Sequence, residues 1–336
     1  MLLETSPIIF DCPQNVKDAP GHVLKMSAKR YCTLESAGNT NGLTLLFAHC
    51  VGSHKEQWEP IIERIFKLRH AQVHEAWSFD WQTHGESGVL NRDLLATSPS
   101  RVYGVSAFEW TDAIAAFVRS PRMQGKRMVA IGHSAGAATM VLTMRDTPLA
   151  SLPYAALILV EPTVITRDMF YLTIDDRIPT MEFVVAATSA RRERWRSRAE
   201  ARAWMARRVP WDTWDARALH MLSRYGLADA PGGGVVLKCA REQEALSYPD
   251  VEPHFAAAAE LGRVSRAVPV HLVWGHDGLV PEVAQDALRD GSEGRTAASV
   301  TRVDGGHMVV QENPDAVADA ICAVLDTLRA HRGSKL

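Results

Sequence analysis

The sequence predicts an α/β fold, in which a mostly parallel central sheet is flanked by helices. Short apolar runs alternate with helical patterns, and the chain of 336 residues is long enough to bury a large core. The runs are almost continuously apolar, which is typical of parallel strands covered on both faces. We predict six such strands, at residues 43–50, 73–80, 127–134, 155–162, 268–277 and 299–307.

Helices are predicted between these strands, each from its own signal. Residues 55–69 place their apolar side chains on one stripe of a helix. Residues 101–119 follow a Ser-Pro-Ser sequence that resembles a helix cap. Residues 314–331 begin with proline, which is favoured at the first helical position. At the other end of the chain, residues 22–36 are predicted to form an antiparallel hairpin.

Residues 165–262 interrupt the alternation of strands and helices. Within them, residues 190–227 are rich in Arg and Trp, have a helical pattern and show no strand. We therefore predict a helical lid over 165–262, which divides the core into 1–164 and 263–336. It is inserted after the strand at 155–162, which is strand 6 when the two strands of the hairpin at 22–36 are counted. Acidic residues are interleaved with the arginines of the lid, which favours a solvated helix face.

Composition and charge exclude several classes of protein. The net charge of −2 gives no general attraction to nucleic acid or to an anionic membrane. No apolar run reaches the ~18–20 residues that a bilayer span needs. The five cysteines are scattered and no Cys/His set has ligand spacing, so we expect neither a disulfide framework nor a metal site. No dinucleotide-binding glycine pattern is present, and no cofactor is expected.

A short glycine-containing motif includes a candidate nucleophilic serine. The residues Gly132-His133-Ser134-Ala135-Gly136 match G-x-S-x-G, the pattern of a nucleophile elbow. A predicted strand runs into the motif and a helical pattern leaves it, which is the context that an elbow requires. The small residues allow a tight turn that exposes the hydroxyl of the serine. Ser134 is therefore the predicted nucleophile, and it needs a base to take its proton.

His307 is the predicted base. It follows the last predicted strand and precedes the final helix, as expected for the chain order nucleophile, acid, histidine. Two carboxylates compete as the acid: Asp277, after the strand at 268–277, and Glu161, after the strand at 155–162. Both strand ends face the edge of the sheet where ligands bind, and either residue type can hold an imidazole. Motif and spacing favour Asp277 slightly over Glu161.

An oxyanion hole requires two backbone N–H donors directed at the developing negative charge. Ala135, the residue after the nucleophile, is expected to supply one. Val51 supplies the other from the loop after the strand at 43–50, and His49 is expected to shape that loop. Arginines at the mouth of the pocket would favour a substrate with phosphates, such as an acyl-CoA. The candidate substrate contacts are His49, Trp81, Arg191, Arg192 and Arg194.

These residues resemble those of the α/β-hydrolase superfamily over nearly the whole chain. A narrower resemblance is carried by FAHCVGSHKEQWEP, GHSAG, LVEP, WDARALHMLSRYGL and VVLKCAREQEALSY. These segments are similar to those of a group of fungal peroxisomal hydrolases, which includes host-toxin biosynthesis hydrolases and the acyl-CoA hydrolase of mycophenolic acid biosynthesis. The resemblance implies a nucleophile at Ser134 and a base at His307. In the mycophenolate enzyme the acid follows strand 6, which corresponds to Glu161, although that enzyme has Asp there.

The predicted function is a serine hydrolase that cleaves an acyl thioester, of the acyl-CoA type, or a carboxylic ester through an acyl-enzyme. Ser334, Lys335 and Leu336 match a peroxisomal address, which predicts the peroxisomal matrix and an import receptor as a partner. One alternative is an esterase or lipase that acts on uncharged esters. The other, from a different class, is a non-catalytic ligand-binding protein of the same fold.

Overall fold

A computed structural model describes residues 2–16 and 18–330, so the predicted peroxisomal address lies outside the described residues. The described residues contain two sheets. Their strands are β1 (Glu4–Asp11), β2 (Lys25–Cys32), β3 (Leu43–Ala48), β4 (Val73–Phe79), β5 (Arg127–His133), β6 (Tyr154–Val160), β7 (Arg194–Trp195), β8 (Leu227–Asp229), β9 (Val235–Leu237), β10 (Val270–Asp277) and β11 (Ser299–Gly306).

The larger sheet has eight strands in the order β1-β2-β4-β3-β5-β6-β10-β11. The pairs β1–β2 and β2–β4 are antiparallel, and the other neighbours are parallel. Strand β3 is wholly buried between β4 and β5, where Leu46 lies opposite both Trp77 and Ala130. The predicted, mostly parallel sheet is confirmed. Its parallel strands bring the carboxyl ends of β3, β5, β6, β10 and β11 to one edge.

Helices cover the sheet and form much of the lid. Short 3-10 helices lie at Lys55–Trp58, Pro99–Arg101, Pro121–Met123, Leu149–Ser151, Trp211–Thr213 and Gly291–Glu293. The α-helices are α1 (Leu34–Ala37), α2 (Glu59–Arg69), α3 (Gly85–Leu90), α4 (Arg92–Thr97), α5 (Ala107–Arg119), α6 (Ala135–Leu142), α7 (Arg167–Leu172), α8 (Ile174–Ala190), α9 (Arg198–Met205), α10 (Ala216–Tyr225), α11 (Arg241–Ser247), α12 (Glu252–Val264), α13 (Glu282–Ala287), α14 (Val309–Glu312) and α15 (Pro314–Ala330).

The two faces of the sheet bury two separate apolar clusters. Helices α5, α6 and α12 contribute to one cluster, and α2 and α15 contribute to the other. Strand β5 serves both, because Ala130 enters the first cluster while Val129 and Ile131 enter the second. This alternation follows from the two-residue period of a strand. It explains why a nearly continuous apolar sequence is needed in the middle of the sheet.

Two boundaries differ from the sequence-based expectation. The predicted hairpin at 22–36 is wrong, because these residues contain one strand, β2, which pairs with β1 and β4. The helix predicted from residue 101 begins at Ala107, where the Ser106 side chain accepts a hydrogen bond from the N–H of Phe108. The partners of β2 lie outside the segment 22–36, whereas the cap at Ser106 lies inside the segment 101–119 and moves the start of the helix by six residues.

The lid contains strands as well as helices, so its prediction as wholly helical is wrong. Strands β7, β9 and β8 form a small antiparallel sheet in which Trp195 lies opposite Val235. The turn between β8 and β9 includes three glycines at positive φ, Gly232, Gly233 and Gly234, a conformation that other residues rarely adopt. Strands of two or three residues are too short to produce a recognisable alternation.

The helical end of the predicted lid belongs to the layers that cover the main sheet. Helix α12 begins within 165–262 and ends at Val264, and its Ala257, Leu261 and Val264 join the same apolar cluster as α5 and α6. Buried apolar side chains between residues 195 and 237 form a cluster of their own, which includes Trp195, Trp211 and Leu222. Among the described helices, none is long and apolar enough to cross a bilayer.

Candidate active site

Ser134 lies at the sharp turn between β5 and α6. Its backbone has φ 55° and ψ −119°, a conformation with positive φ that is strained for a residue with a side chain. The neighbouring glycines make the turn possible. A Cβ on Gly132 would lie 2.3 Å from the carbonyl oxygen of Gly136, and a Cβ on Gly136 would lie 2.5 Å from that of His49. The elbow is therefore pressed directly against the loop that follows β3.

His307 follows β11 and contacts Ser134. Its Nε2 atom lies 3.0 Å from Oγ of Ser134, and its Nδ1 atom lies 3.1 Å from Oε2 of Glu161. A carboxylate only accepts hydrogen bonds, so the proton of the neutral ring is on Nδ1. Nε2 is then free to accept the hydroxyl proton of Ser134. The arrangement has the geometry of a nucleophile, a base and an orienting acid.

Glu161 is held in place from several sides. It follows β6 at a positive φ of 43° and its side chain is wholly buried. Its Oε1 accepts a hydrogen bond of 2.7 Å from the N–H of Gly275, while Oε2 faces His307. Its own N–H donates to the carbonyl of Val273 at 2.8 Å. Both carboxylate oxygens are therefore engaged, which keeps a buried charge satisfied.

Asp277, which the sequence favoured slightly as the partner of His307, is not in that position. Its side chain is exposed at the end of β10, and within residues 2–16 and 18–330 it makes no hydrogen bond to His307. The pairing of β10 with β11 is irregular between Gly275 and Asp277, so the strand loses its regular register before the aspartate. The structure corrects this expectation, because Glu161 occupies the place beside the imidazole.

The loop after β3 is fixed by His49, which is 1% exposed. The N–H of Trp81 donates to Nε2 of His49 at 3.1 Å, so the ring proton is on Nδ1. Nδ1 donates it to the carbonyl of Cys50 at 2.7 Å. Burial lowers the pKa of His49 to about 4 and keeps the ring neutral. Because Cys50 C=O and Val51 N–H share one trans peptide, this bond also fixes the direction of the Val51 donor.

Two further observations concern the oxyanion loop and its surroundings. Ala135 begins α6 directly after Ser134, where its N–H is among the first of a helix and has no intrahelical partner. Cys50 is a buried thiol, and burial raises its pKa to about 12, so it is not a nucleophile near neutral pH.

No group of three or more His, Cys, Asp or Glu side chains in the described residues is arranged to hold a metal ion.

Two predicted substrate contacts are packing residues instead. Trp81 is 1% exposed and stacks on Trp110 at 5.3 Å and on His84 at 5.3 Å. His49 is equally buried, so it shapes the loop and cannot touch a substrate from the cleft. The prediction that these two side chains bind substrate is wrong. The strand end that carries Trp81 turns its side chain into the apolar cluster beneath the site.

The predicted basic patch of the lid is largely neutralised. Arg191 makes a two-pronged ion pair with the buried Glu244, with Nη1 to Oε1 at 2.8 Å. Arg192 pairs with Glu200 at 3.0 Å, and Arg194 is exposed. A bidentate carboxylate satisfies the face of a guanidinium that would bind a phosphate. The three arginines therefore do not converge as a phosphate site.

Two residues near the site, His84 and Glu244, were not assigned a catalytic or binding role from the sequence. The N–H of Gly52, next to Val51, donates to Nε2 of His84 at 3.0 Å. On the other side, a Cβ on Gly52 would lie 2.7 Å from Oε1 of Glu244, so the lid presses on this loop. Burial, together with His49 and Arg191, holds the pKa of His84 well below its usual range. The only general rule that bears on Glu244 is that a glutamate is almost never fully buried without a partner.

The comparison with known families identifies the class of protein. The profile of the alpha/beta hydrolase family matches residues 45–320, and the chain therefore belongs to that family. It is a hydrolase, and the expected α/β-hydrolase fold is confirmed. No curated protein matches the chain in sequence.

Solved structures agree with this fold at low sequence identity. The peroxisomal alpha-beta-hydrolase Lpx1 of Saccharomyces cerevisiae is similar with a TM-score of 0.76 and 18% identity, over 98% of this chain and 90% of that one. The thioesterase domain of the curacin biosynthetic pathway has a TM-score of 0.64 and 15% identity, over 97% and 99%. An M. tuberculosis esterase has a TM-score of 0.59 and 16% identity, over 95% and 92%.

Proposed function

We propose that this protein is a serine hydrolase that transfers an acyl group from an ester or thioester to water. One observation carries the proposal. A continuous hydrogen-bonded line joins Oγ of Ser134 to the imidazole of His307 and the imidazole to the carboxylate of Glu161, with distances of 3.0 and 3.1 Å. A serine at a strained elbow, a neutral imidazole in the correct tautomer and a buried carboxylate are the groups that acyl transfer requires.

In the first step Oγ of Ser134 attacks the carbonyl carbon while its proton moves to Nε2 of His307. The carbonyl oxygen becomes an oxyanion and accepts hydrogen bonds from the N–H groups of Val51 and Ala135. The intermediate collapses, the bond to the leaving alcohol or thiol breaks, and His307 returns the proton to it. Ser134 now carries the acyl group.

In the second step a water molecule takes the place of the leaving group. His307 removes a proton from this water, whose oxygen attacks the acyl carbon. The second tetrahedral intermediate releases the carboxylic acid, and His307 returns the proton to Ser134. Throughout, Glu161 keeps the proton on Nδ1 and stabilises the imidazolium that forms twice in each cycle. We assign the role of the acid to Glu161 and not to Asp277.

The ion pairs of the lid bear on the substrate. A CoA leaving group carries several phosphates, which require unpaired cationic groups. Arg191 and Arg192 are paired with Glu244 and Glu200, which favours an ester or thioester with an uncharged leaving group over an acyl-CoA.

A fluorophosphonate probe tests the proposal directly. The oxygen of an activated serine displaces fluoride from the phosphorus and becomes covalently labelled. We expect labelling of the wild-type protein and none of Ser134→Ala, measured by gel fluorescence and intact mass. Equal labelling of the two proteins, or no labelling of either, contradicts the assignment and leaves the non-catalytic alternative.

A substrate panel separates the two leaving-group classes. Short and medium acyl chains are presented as p-nitrophenyl esters, as N-acetylcysteamine thioesters and as CoA thioesters. We expect kcat/KM for the two uncharged series to exceed that for the CoA series with the same acyl chain. The opposite order contradicts the preference for uncharged leaving groups and restores acyl-CoA as the substrate class.

We also propose that the protein acts in the peroxisomal matrix. Two observations support this: the solved structure of a yeast peroxisomal hydrolase is similar, and the residues Ser334, Lys335 and Leu336 match a peroxisomal address. A fluorescent protein fused ahead of residue 1 is expected to enter peroxisomes with the full chain. It is expected to remain outside them when residues 334–336 are removed, and identical distributions contradict the proposal.

A further inference from the structure

His133 precedes the nucleophile and binds the backbone of the base. Its Nε2 atom lies 2.8 Å from the carbonyl oxygen of His307. A carbonyl oxygen only accepts hydrogen bonds, so Nε2 carries a proton and donates it. The side chain is fully buried, and Nδ1 has no hydrogen-bond partner among the described residues. The single polar contact of this buried imidazole is therefore directed at His307.

The contact does not depend on pH in the range where the base must act. Burial, and to a lesser extent the neighbouring His307, lower the pKa of His133 to about 3. The ring of His133 therefore stays neutral in this range. Nε2 carries its proton in this neutral form, and it would also carry one in the charged imidazolium. A neutral ring also places no fixed positive charge beside the imidazole of His307, whose ring centre is 5.4 Å away.

Two consecutive residues of the elbow thus hold two different parts of His307. Ser134 faces its imidazole at 3.0 Å, and His133 binds its carbonyl at 2.8 Å. On the other side of His307, the N–H of Gly306 donates to the carboxylate of Glu312. The backbone around the base is therefore fixed on both sides of the residue, and one of these attachments comes from the nucleophile elbow itself.

We propose that His133 is a positioning residue, which sets the distance between Nε2 of His307 and Oγ of Ser134 through the hydrogen bond to the His307 carbonyl. This inference rests on the proposed function of Ser134 and His307. Without the bond, the carbonyl turns towards another donor and carries the imidazole with it. A displacement of about 1 Å at a reacting group can lower the rate by ~10²-fold.

Two variants of His133 separate donation from packing. His133→Leu has no donor, whereas His133→Gln keeps an N–H group near the position of Nε2. We expect His133→Leu to lower kcat and the rate of fluorophosphonate labelling by about 10²-fold, with KM within about threefold of wild type. His133→Gln is expected to recover at least about tenfold of that loss.

His271→Leu is the matched control. His271 is also a buried histidine of the main sheet, 5% exposed, with one nitrogen at 2.8 Å from Oγ of Ser299. Its other nitrogen has no hydrogen-bond partner in the described residues. It lies in β10, away from the base. Both leucine variants are expected to lower Tm, and only His133→Leu is expected to lower kcat. Similar kcat for the two leucine variants, or for the Leu and Gln variants of His133, overturns the proposal.

A spectroscopic measurement makes this inference independent of turnover. NMR of the histidine ring protons, with the His307 signal assigned by its loss in His307→Gln, gives the titration of that imidazole in each variant. We expect the titration midpoint of His307 to move in His133→Leu, to return in His133→Gln and to stay constant in His271→Leu. An unchanged midpoint in His133→Leu overturns the positioning role. Absent labelling of the wild type would instead contradict the proposed function.

Discussion

Two carboxylates stand at neighbouring strand ends of the sheet, yet their surroundings differ. Glu161 follows β6, is wholly buried and accepts hydrogen bonds from Gly275 and His307. Asp277 ends β10, and its side chain is exposed. A carboxylate at the carboxyl end of a strand is therefore not necessarily the hydrogen-bond partner of His307. Burial and a second hydrogen bond, here from a backbone N–H, direct the oxygen of Glu161 at the imidazole. Asp277 is exposed and has no such hydrogen bond within the described part of the chain.

The largest effect is expected from Glu161→Gln. An amide at this position can donate to Nδ1 of His307 and stabilise the wrong tautomer, and it cannot neutralise an imidazolium. We expect kcat for ester hydrolysis to fall by on the order of 10⁴-fold, with the protein still folded by circular dichroism. A Glu161→Gln enzyme with near wild-type kcat would show that burial beside the base does not identify the acid.

A smaller effect is expected from Gly278→Ala, which disturbs the surroundings of Glu161 and leaves its charge in place. The added Cβ would lie 2.4 Å from Oε1 of Glu161, so the carboxylate must shift. We expect kcat/KM to fall by about 10–10²-fold. Gly291→Ala is the control, because a Cβ there has nothing within 4 Å, and its kinetics should match wild type. Equal kinetics for both variants would mean that the position of the Glu161 carboxylate is not critical.

Burial at this edge also predicts how stability depends on pH. Burial lowers the pKa of His49 from 6.5 to about 4, so between these values the unfolded chain binds a proton that the folded protein does not. The free energy of unfolding therefore falls as the pH drops from 6.5 towards 4. The loss amounts to ~1.4 kcal/mol for each unit by which the pKa of His49 is lowered. Above pH 6.5 the full contribution of His49 to stability is present.

Urea unfolding at about pH 7.5, 6 and 5 measures this dependence. His49→Gln, which cannot titrate, is expected to lose less stability than wild type over the same interval. Parallel pH curves for wild type and His49→Gln would contradict the inference that a buried neutral histidine holds the oxyanion loop.

The smallest effect is expected from Asp277→Asn. Because this side chain is exposed and does not bond to His307, kcat and Tm should stay close to wild type, within roughly twofold and 1 °C. Measured beside Glu161→Gln, this variant completes the comparison of the two strand ends. A loss in Asp277→Asn that approaches that of Glu161→Gln would assign the acid to β10 after all.

Local patterns were sufficient for much of the fold. The strand that enters G-x-S-x-G and the helix that leaves it are both present, as β5 and α6. His307 follows β11, so two strand ends of one parallel sheet bring it to 3.0 Å from Ser134. Such placements follow from periodicity and from the common direction of parallel strands.

Contacts between distant segments could not be predicted from the sequence in the same way. The lid strands β7–β9 have two or three residues, too few for a periodic signal. Trp81 is turned into the core by its stacking on Trp110, and Arg191 is paired with Glu244. The positions of Trp81 and Arg191 depend on partners that the sequence places far away and that no spacing rule connects.

The sequence by itself therefore determined the parallel sheet, the strained elbow at Ser134 and the strand end that carries His307. These features depend on residues close together in the chain, where period and turn chemistry act. Only the tertiary structure decided that Glu161 faces His307, that His133 binds the carbonyl of the base and that Arg191 and Arg192 of the lid are paired with glutamates. The partners in the first pair are 146 residues apart and those in the second 174, and burial and hydrogen-bond direction exist only once the chain has folded.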